Sequence, residues 1–177
     1  MTAAETEILI RRMVSPVGGL IIGACGERLC LVDFVGRNGR FRPLKRLKER
    51  LRVRIRDDEG ASAILEAACR QLKEYFAGDR KTFDLPLLFA GTPFQEKVWQ
   101  VLLEIPHGRT VSYGCLAARM GRPRAVRAVA AANAANAISI IVPCHRVVAG
   151  GGGLGGYAGG TDAKRLLLGL EGALPAS

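Results

Sequence analysis

Cys144 and His145 stand side by side in the run Ile141-Val142-Pro143-Cys144-His145-Arg146-Val147-Val148. The thiolate, not the thiol, is the reactive form of cysteine, and a neighbouring base or positive charge is the usual way to obtain it near neutral pH. Pro143 offers no backbone donor and ends any preceding helix. The apolar stretch Ile138 to Val142 buries the chain just before the thiol, which puts Cys144 at the rim of a core. Taken alone, a Cys-His dipeptide reads first as a buried structural thiol beside a surface histidine. The flanking chain has to decide between the two.

The elements that would position this pair lie between residues 89 and 177. Thr92 caps a helix, with Pro93 and Glu96 in its first turn, that runs to about Ile105 with Phe94, Val98, Val101, Leu102 and Ile105 inward. Pro106 and Gly108 stop it. Ser112 caps a short helix, Tyr113 to Met120; Gly121-Arg122-Pro123 turns the chain; a second helix runs from Arg124 to about Ala134. Helix, tight turn, helix is the shape of a helix-turn-helix, and an ordinary helical hairpin reads the same way. The second helix is rich in alanine, with Arg122, Arg124 and Arg127 near its start. Small residues with arginines at one end suit entry into a narrow groove, and equally suit close helix packing. Downstream of Cys144, the glycine-rich stretch Gly150 to Gly160 lacks the Gly-Lys-Ser/Thr ending of a phosphate loop. Tyr157 is its one aromatic side chain. Thr161 is expected to cap a last helix, Asp162 to Leu170, closed by Glu171 and Gly172.

The first half, residues 1–88, reads as a β-sheet domain with helices. Gly18 to Ala24 and Leu29 to Val35 are β-like runs joined by the hairpin residues Cys25-Gly26-Glu27-Arg28. Leu44 to Leu51 is a weaker helical candidate. Ser62 to Phe76 is a clear helix, capped by Ser62 and ended by Gly78. Arg37 to Arg56 is strongly basic, opposed only by Glu49. Within it, Arg50, Arg52, Arg54 and Arg56 alternate with Leu51, Val53 and Ile55, as in a half-exposed strand, and Asp57, Asp58 and Glu59 follow to neutralise part of it. Phe83 to Phe89 is apolar and extended, interrupted by Pro86, and marks the boundary between domains 1–88 and 89–177.

A chain of 177 residues is long enough for one large or two small domains. Its formal charge is +10, with a sequence pI near 10.0, and the excess divides equally between the two halves. Such a balance points to a polyanionic partner, with nucleic acid first. No apolar run approaches a membrane span and residues 1–10 show no signal-peptide pattern, so a cytoplasmic protein without a membrane partner is expected. Five cysteines form no regular framework and read as free thiols.

Several of these residues recur together in a known family. Asn136, Pro143-Cys144-His145-Arg146-Val147, Gly156-Tyr157-Ala158-Gly159-Gly160 and Lys164…Leu167-Leu168…Glu171-Gly172 resemble the O6-alkylguanine-DNA alkyltransferases, the methylated-DNA–protein-cysteine methyltransferases. Upstream, Gly91-Thr92-Pro93-Phe94-Gln95…Val98-Trp99 and Ile105-Pro106…Gly108…Thr110-Val111-Ser112-Tyr113 are similar to the same family. The likeness covers roughly residues 89–172 and rests on separated motifs in the right order; the first half resembles the family's variable, ribonuclease H-like domain more loosely.

The resemblance implies a two-domain α/β (α+β) fold, with a ribonuclease H-like domain followed by a mostly helical domain that holds a helix-turn-helix. It implies direct-reversal DNA repair: a monomer binds duplex DNA in the minor groove, flips an O6-alkylguanine into a pocket, and transfers the alkyl group irreversibly to Cys144, once per molecule. Whether O4-alkylthymine is also accepted is left open. No small-molecule cofactor is implied. By position, His145 deprotonates Cys144 through a water, Glu171 orients His145, and Asn136 holds the turn before the active-site strand, where it could also serve as a helix C-cap. Arg127 takes the place of the flipped base, with Arg124, Ala128 and Ser112 also on the DNA-facing side. Tyr113 contacts the base, Tyr157 walls the pocket, the Ala158 N–H meets O6, and the carbonyls of Cys144 and Val147 accept from the exocyclic amine. Two departures bear on the range of alkyl sizes: many members have Ser at the position of Ala158, and some have a larger apolar residue at that of Asn133.

Three other readings account for less of the chain. A lesion sensor of related fold lacks the cysteine. A plain helix-turn-helix regulator leaves the Pro-Cys-His-Arg run unexplained. A cysteine hydrolase normally has its nucleophile and histidine far apart in sequence. A structural zinc at Cys25 and Cys30, where some relatives carry one, would need four ligands; none is expected, because His107 and His145 are both remote in sequence.

Overall fold

The computed structural model describes residues 7–36 and 42–174, with Arg42 through its backbone alone. The chain divides into two units, Met1–Ala90 and Gly91–Ser177. Of the basic stretch, Arg37 and Arg40 lie outside the described residues, as do the first six residues of the amino terminus.

In the first unit, β1 (Glu7–Ser15), β2 (Gly18–Cys25), β3 (Arg28–Phe34) and β4 (Arg54–Asp57) form one sheet in the order β3-β2-β1-β4. β1 pairs with β2, and β2 with β3, antiparallel through short turns; β4 joins β1 in parallel. A parallel neighbour cannot be reached by a hairpin, and the chain crosses over through α1 (Arg42–Leu51). The expected hairpin around Gly26 and Glu27 is present. β1 was hidden in the sequence because Arg11 and Arg12 break its alternation. Ile8 and Ile10 are nevertheless buried, and the two arginines pair with Asp58 and Asp57. Asp57 and Asp58 therefore neutralise β1.

The expected strand of alternating arginines is also shorter than its pattern. Arg50 belongs to α1 and Arg52 sits at a positive φ of 51°. Only Arg54 and Arg56 are on β4, because the helix claims the first turn of the pattern and the chain must bend before it can pair with β1. α2 (Ala63–Ala77) begins and ends as its sequence dictates. The Ser62 side chain accepts from the Leu65 N–H, and Gly78 closes the helix at φ 83°. Leu65, Ala68, Leu72 and Tyr75 are buried at helical spacing, and α2 lies against β1, β2 and β3.

The second unit is mostly helical: α3 (Pro93–Leu103), α4 (Tyr113–Arg119), α5 (Val126–Ala134) and α6 (Thr161–Leu170). A full capping box starts α3, with Thr92 accepting from the Gln95 N–H and the Gln95 side chain accepting from the Thr92 N–H. α3 ends at Leu103, two residues before the expected stop. Trp99, absent from the expected inward face, is buried and donates its Nε1–H to the Ala132 carbonyl of α5 at 2.8 Å. A Cβ at Gly91 would lie 2.5 Å from the Trp99 ring, so only glycine allows the chain to pass there.

Ser112 caps α4 as expected, accepting from the Cys115 N–H. α5 starts at Val126, so Arg124 lies in the connecting turn. Thr161 is the first residue of α6 and not its cap; Gly160, at φ 86°, holds the cap position without a side-chain bond. A two-residue parallel pair links β5 (Val111–Ser112) to β6 (Val147–Val148), with Val111 opposite Val147 and Ser112 opposite Val148. This pair brings the start of α4 beside the chain that carries Cys144.

Candidate active site

Cys144 opens a single 3-10 turn, Cys144–Arg146, between the apolar run and β6. It is 3% exposed. The Asn136 amide governs its surroundings: Nδ2 donates to the Val142 carbonyl at 3.0 Å and to Cys144 Sγ at 3.2 Å, while Oδ1 accepts from the Ile138 N–H at 2.9 Å. Ala135, not Asn136, is the C-cap of α5. Asn136 thus ties both ends of the apolar loop to the sulfur.

Burial pushes the Cys144 thiol up from the usual range. The Asn136 amide and the nearby Lys164 ammonium act in the opposite direction and offset part of the shift. The resting side chain is a neutral thiol.

Behind the thiol, His145 is completely buried and its Nε2 lies 2.9 Å from Glu171 Oε1. Glu171, the C-cap of α6, also receives Arg146 in a fork, Nε to Oε2 at 2.8 Å and Nη2 to Oε1 at 3.0 Å. Arg146 Nη1 donates in turn to the Ile105 carbonyl at 2.6 Å, and the Gly108 N–H reaches Glu171 Oε2 at 3.4 Å. A Cβ on Gly108, whose φ is +79°, would sit 3.1 Å from the Glu171 carbonyl oxygen. The end of α3 and the end of α6 therefore meet through this carboxylate.

With Nε2–H donated to an ionised carboxylate, His145 Nδ1 carries the lone pair. Nδ1 is buried and has no hydrogen-bond partner. Desolvation holds the imidazole pKa below its ordinary value, against the raising effect of Glu171, so the ring is a neutral base at pH 7.

A pocket of about 280 Å³ opens beside the sulfur, lined by Tyr113, Asn133, Ala134, Asn136, Cys144, Gly156, Tyr157 and Ala158. Binding sites for drug-sized molecules run from about 300 to 1,000 Å³, so this one suits a single flat base. Burial raises the Tyr113 pKa, which keeps its hydroxyl protonated and able to donate. Asn133 Nδ2 lies 3.4 Å from the Cys144 carbonyl. The Tyr157 ring stands edge-on to His145, with centroids 6.3 Å apart.

Cys144, Asn136, Tyr113, Tyr157 and Ala158 thus meet at one pocket, with His145 and Glu171 behind it. Val147 is fully buried away from the lining, and its carbonyl accepts from Lys164 Nζ at 2.6 Å. Arg127 and Ala128 are exposed on α5, Arg124 is exposed in the turn before it, and Ser112 is half-buried under α4. Arg146 and Lys164 entered the sequence reading only as motif residues. Lys164 left one signal: it falls with Ala163, Leu167 and Leu168 on the buried stripe of α6, where a lysine is out of place. The Cys25 and Cys30 thiols are free, and among the described residues no three His, Cys, Asp or Glu side chains gather as a metal site would need.

Comparison with known proteins identifies the family. Residues 93–173 match the model of the 6-O-methylguanine DNA methyltransferase DNA binding domain, and residues 8–89 that of the ribonuclease-like domain of the same family. A methylated-DNA--protein-cysteine methyltransferase of Methanosarcina acetivorans is 43% identical over 161 residues, covering 90% of this chain and 95% of the relative. One from Mycobacterium bovis is 44% identical over 161 residues, covering 91% of this chain and 90% of that protein. The crystal structure of Mycobacterium tuberculosis O6-methylguanine methyltransferase superposes with a TM-score of 0.80 at 40% identity, over 96% of each chain. That of the Mycobacterium tuberculosis protein in complex with DNA does so with 0.79 at 38% identity, over 97% of this chain and 96% of that one. The two matched domains, in order and over nearly the whole chain, place it in the 6-O-methylguanine DNA methyltransferase family.

Proposed function

We propose that this protein repairs O6-alkylated guanine in duplex DNA by transferring the alkyl group to its own Cys144, one group per molecule. The observation that carries the reading is the Cys144 thiol on the wall of a base-sized pocket, with an amide donor on its sulfur and a carboxylate-held histidine behind it.

In this mechanism His145 Nδ1 takes the thiol proton through a water. The sulfur lone pair attacks the alkyl carbon in line; the C–S bond forms and the bond to O6 breaks, with its electron pair leaving on the guanine. The neutral Tyr113 hydroxyl donates to N3 and offsets that charge, and the Ala158 N–H meets O6. The Cys144 carbonyl takes the exocyclic amine, while the Val147 carbonyl, already held by Lys164, has one lone pair left for it. The thioether has no leaving step, so the reaction stops there. Asn136 positions the nucleophile and Glu171 keeps the His145 tautomer.

α4 and α5 act as a helix-turn-helix at the minor groove. Arg127, Ala128, Ala131 and Ala134 form the exposed face of α5, and Ala134 also lines the pocket. A thin face of alanines leading into a base pocket supports close approach to DNA, with Arg127 filling the stack where the base has left. The pocket lining and the His145–Glu171 pair all lie within residues 91–177, which supports a protein that works as a monomer. It acts in the cytoplasm without a membrane partner; among the described residues no helix is long and apolar enough to cross a membrane.

The test is the intact mass of the protein after incubation with an O6-methylguanine duplex, with undamaged duplex as control. A single methyl, gained only on the damaged duplex and mapped to Cys144, is expected. Cys144→Ser should gain none and still bind DNA. Binding without any gain by the wild-type protein would make it a lesion sensor instead.

A further inference from the structure

The loop that delivers Cys144 contains a strained residue and an unused hydroxyl. The Ile141 N–H donates to the Ser139 carbonyl at 2.9 Å, and Ile140 between them has a φ of 73°. This is the γ-turn of positive φ, which is rare and costly, and more so for a β-branched residue. Such strain persists only where the surroundings over-determine the conformation, and it clusters at functional sites. The surroundings here are tight. Val142 N–H donates to Ile138, Ser139 bridges to Val142, and the Val142 carbonyl takes both the Cys144 N–H at 2.8 Å and the Asn136 amide.

Ser139 is 1% exposed, and its Oγ is sealed from solvent without a hydrogen-bond partner. A buried polar group left unpaired costs about 1–3 kcal/mol, so a retained one calls for a reason. The knot described above leaves the Ser139 side chain within hydrogen-bonding reach of the Cys144 sulfur. A neutral thiol is a weak acceptor and gives this hydroxyl little to bond. A thiolate is a strong one.

We propose that Ser139 is a further catalytic residue, a second donor to the Cys144 sulfur that is engaged only in the thiolate state. The inference builds on Cys144 as the alkyl acceptor. Ser139 Oγ and His145 Nδ1 are both without a hydrogen-bond partner in the resting site, and one proton transfer satisfies both. The thiol proton passes to Nδ1, and the sulfur it leaves accepts from Ser139 as well as Asn136. Ser139 itself neither gains nor loses a proton. When the C–S bond forms, the sulfur becomes a thioether, again a poor acceptor, and the hydroxyl is released.

Lys164 from α6 and Tyr113 from α4 also act on the sulfur, His145 follows it in the 3-10 turn, and Ser139→Ala leaves all three in place. Iodoacetamide, which needs no DNA, reports the thiolate directly when its addition to the Cys144 peptide is followed by mass across neutral to alkaline pH. Removing one donor should move the midpoint up by about one pH unit. A more basic thiolate is also more nucleophilic, with a Brønsted slope of about 0.4–0.5. Ser139→Ala should therefore react about threefold more slowly below both midpoints and about threefold faster above them, while Ser139→Thr, which keeps the hydroxyl, should follow the wild type. A crossing of the two profiles is the signature, because loose packing would lower or raise the rate at every pH alike. Profiles that coincide, or that stay parallel, overturn the proposal. So does a marked fall in the urea midpoint of Ser139→Ala, since a hydroxyl unpaired at rest should cost nothing to remove.

Discussion

Glu171 Oε1 lies 2.9 Å from His145 Nε2, with both side chains fully buried. The relationship decides which histidine nitrogen can act as a base. It is itself held by Arg146, which grips both carboxylate oxygens, and by the Gly108 N–H. A buried carboxylate needs such partners, because ionisation away from water is costly until every lone pair is occupied. The same network joins the ends of α3 and α6 to the turn that carries the nucleophile, so its loss should be felt in both stability and chemistry.

Glu171→Gln leaves the Arg146 guanidinium buried without a counter-charge. Unpairing a buried ion pair in this way costs about 3–5 kcal/mol, which a urea melt should register. The carboxamide can also offer its N–H to His145 and reverse the tautomer. In the fraction that stays folded, methyl transfer should fall by about 10²–10⁴-fold, the usual contribution of a positioned general base. A variant with wild-type single-turnover kinetics would remove Glu171 from the mechanism.

The pH dependence follows from desolvation of His145, which lowers its pKa in the folded protein. The unfolded histidine titrates near 6.5 and so binds protons more readily than the folded one. Stability is therefore fully present above about pH 6.5 and declines as pH falls from there towards the folded pKa. His145→Gln should flatten that part of a stability profile measured by urea melts. Transfer should hold its rate down to pH values below the ordinary histidine range, because the base remains neutral there.

Asn136→Ala leaves the buried Ile138 N–H unpaired, removes one of the two donors to the Val142 carbonyl, and takes the amide donor from the Cys144 sulfur. Each unsatisfied backbone group costs about 1–3 kcal/mol. The variant should lose about 1–3 kcal/mol if the loop cannot relax, and the Cys144 alkylation profile should move to higher pH. Thermal melting and iodoacetamide kinetics on the same sample separate the two effects.

Arg127→Ala should weaken capture of an O6-methylguanine duplex by about tenfold, the scale of one contact that supports an extruded base. Plain duplex should suffer less, because one exposed arginine among many supplies at most about one phosphate contact and changes the salt slope by about one or less. Titrations on both duplexes over a range of salt distinguish these. Equal losses would reduce Arg127 to bulk charge.

Much of the frame was legible in the chain. Thr92, Ser62 and Ser112 cap helices where local chemistry requires it, since a side-chain oxygen satisfies backbone donors within its own turn. The β2–β3 hairpin follows from two apolar runs around Gly26 and Glu27. β1 was not legible, because its arginines are neutralised by acids 45 and 47 residues away, and no local window contains both partners. Thr161 illustrates a smaller limit: a residue type suited to capping was displaced one position by Gly160, whose positive φ sets the start of α6.

The Cys144-His145 pair, the basic character and the order of the helices could be read along the chain, because each is carried by residue type or by a pattern a few residues long. Folding alone makes Glu171 and Arg146 one network with His145, buries Lys164 on the Val147 carbonyl, and sets Ser139 against the sulfur at a strained turn. These relationships depend on α6 and the apolar loop closing around the 3-10 turn. Whether a polar group at such a closure is paired, unpaired or desolvated depends on which distant atoms pack around it, and no spacing along the chain encodes that.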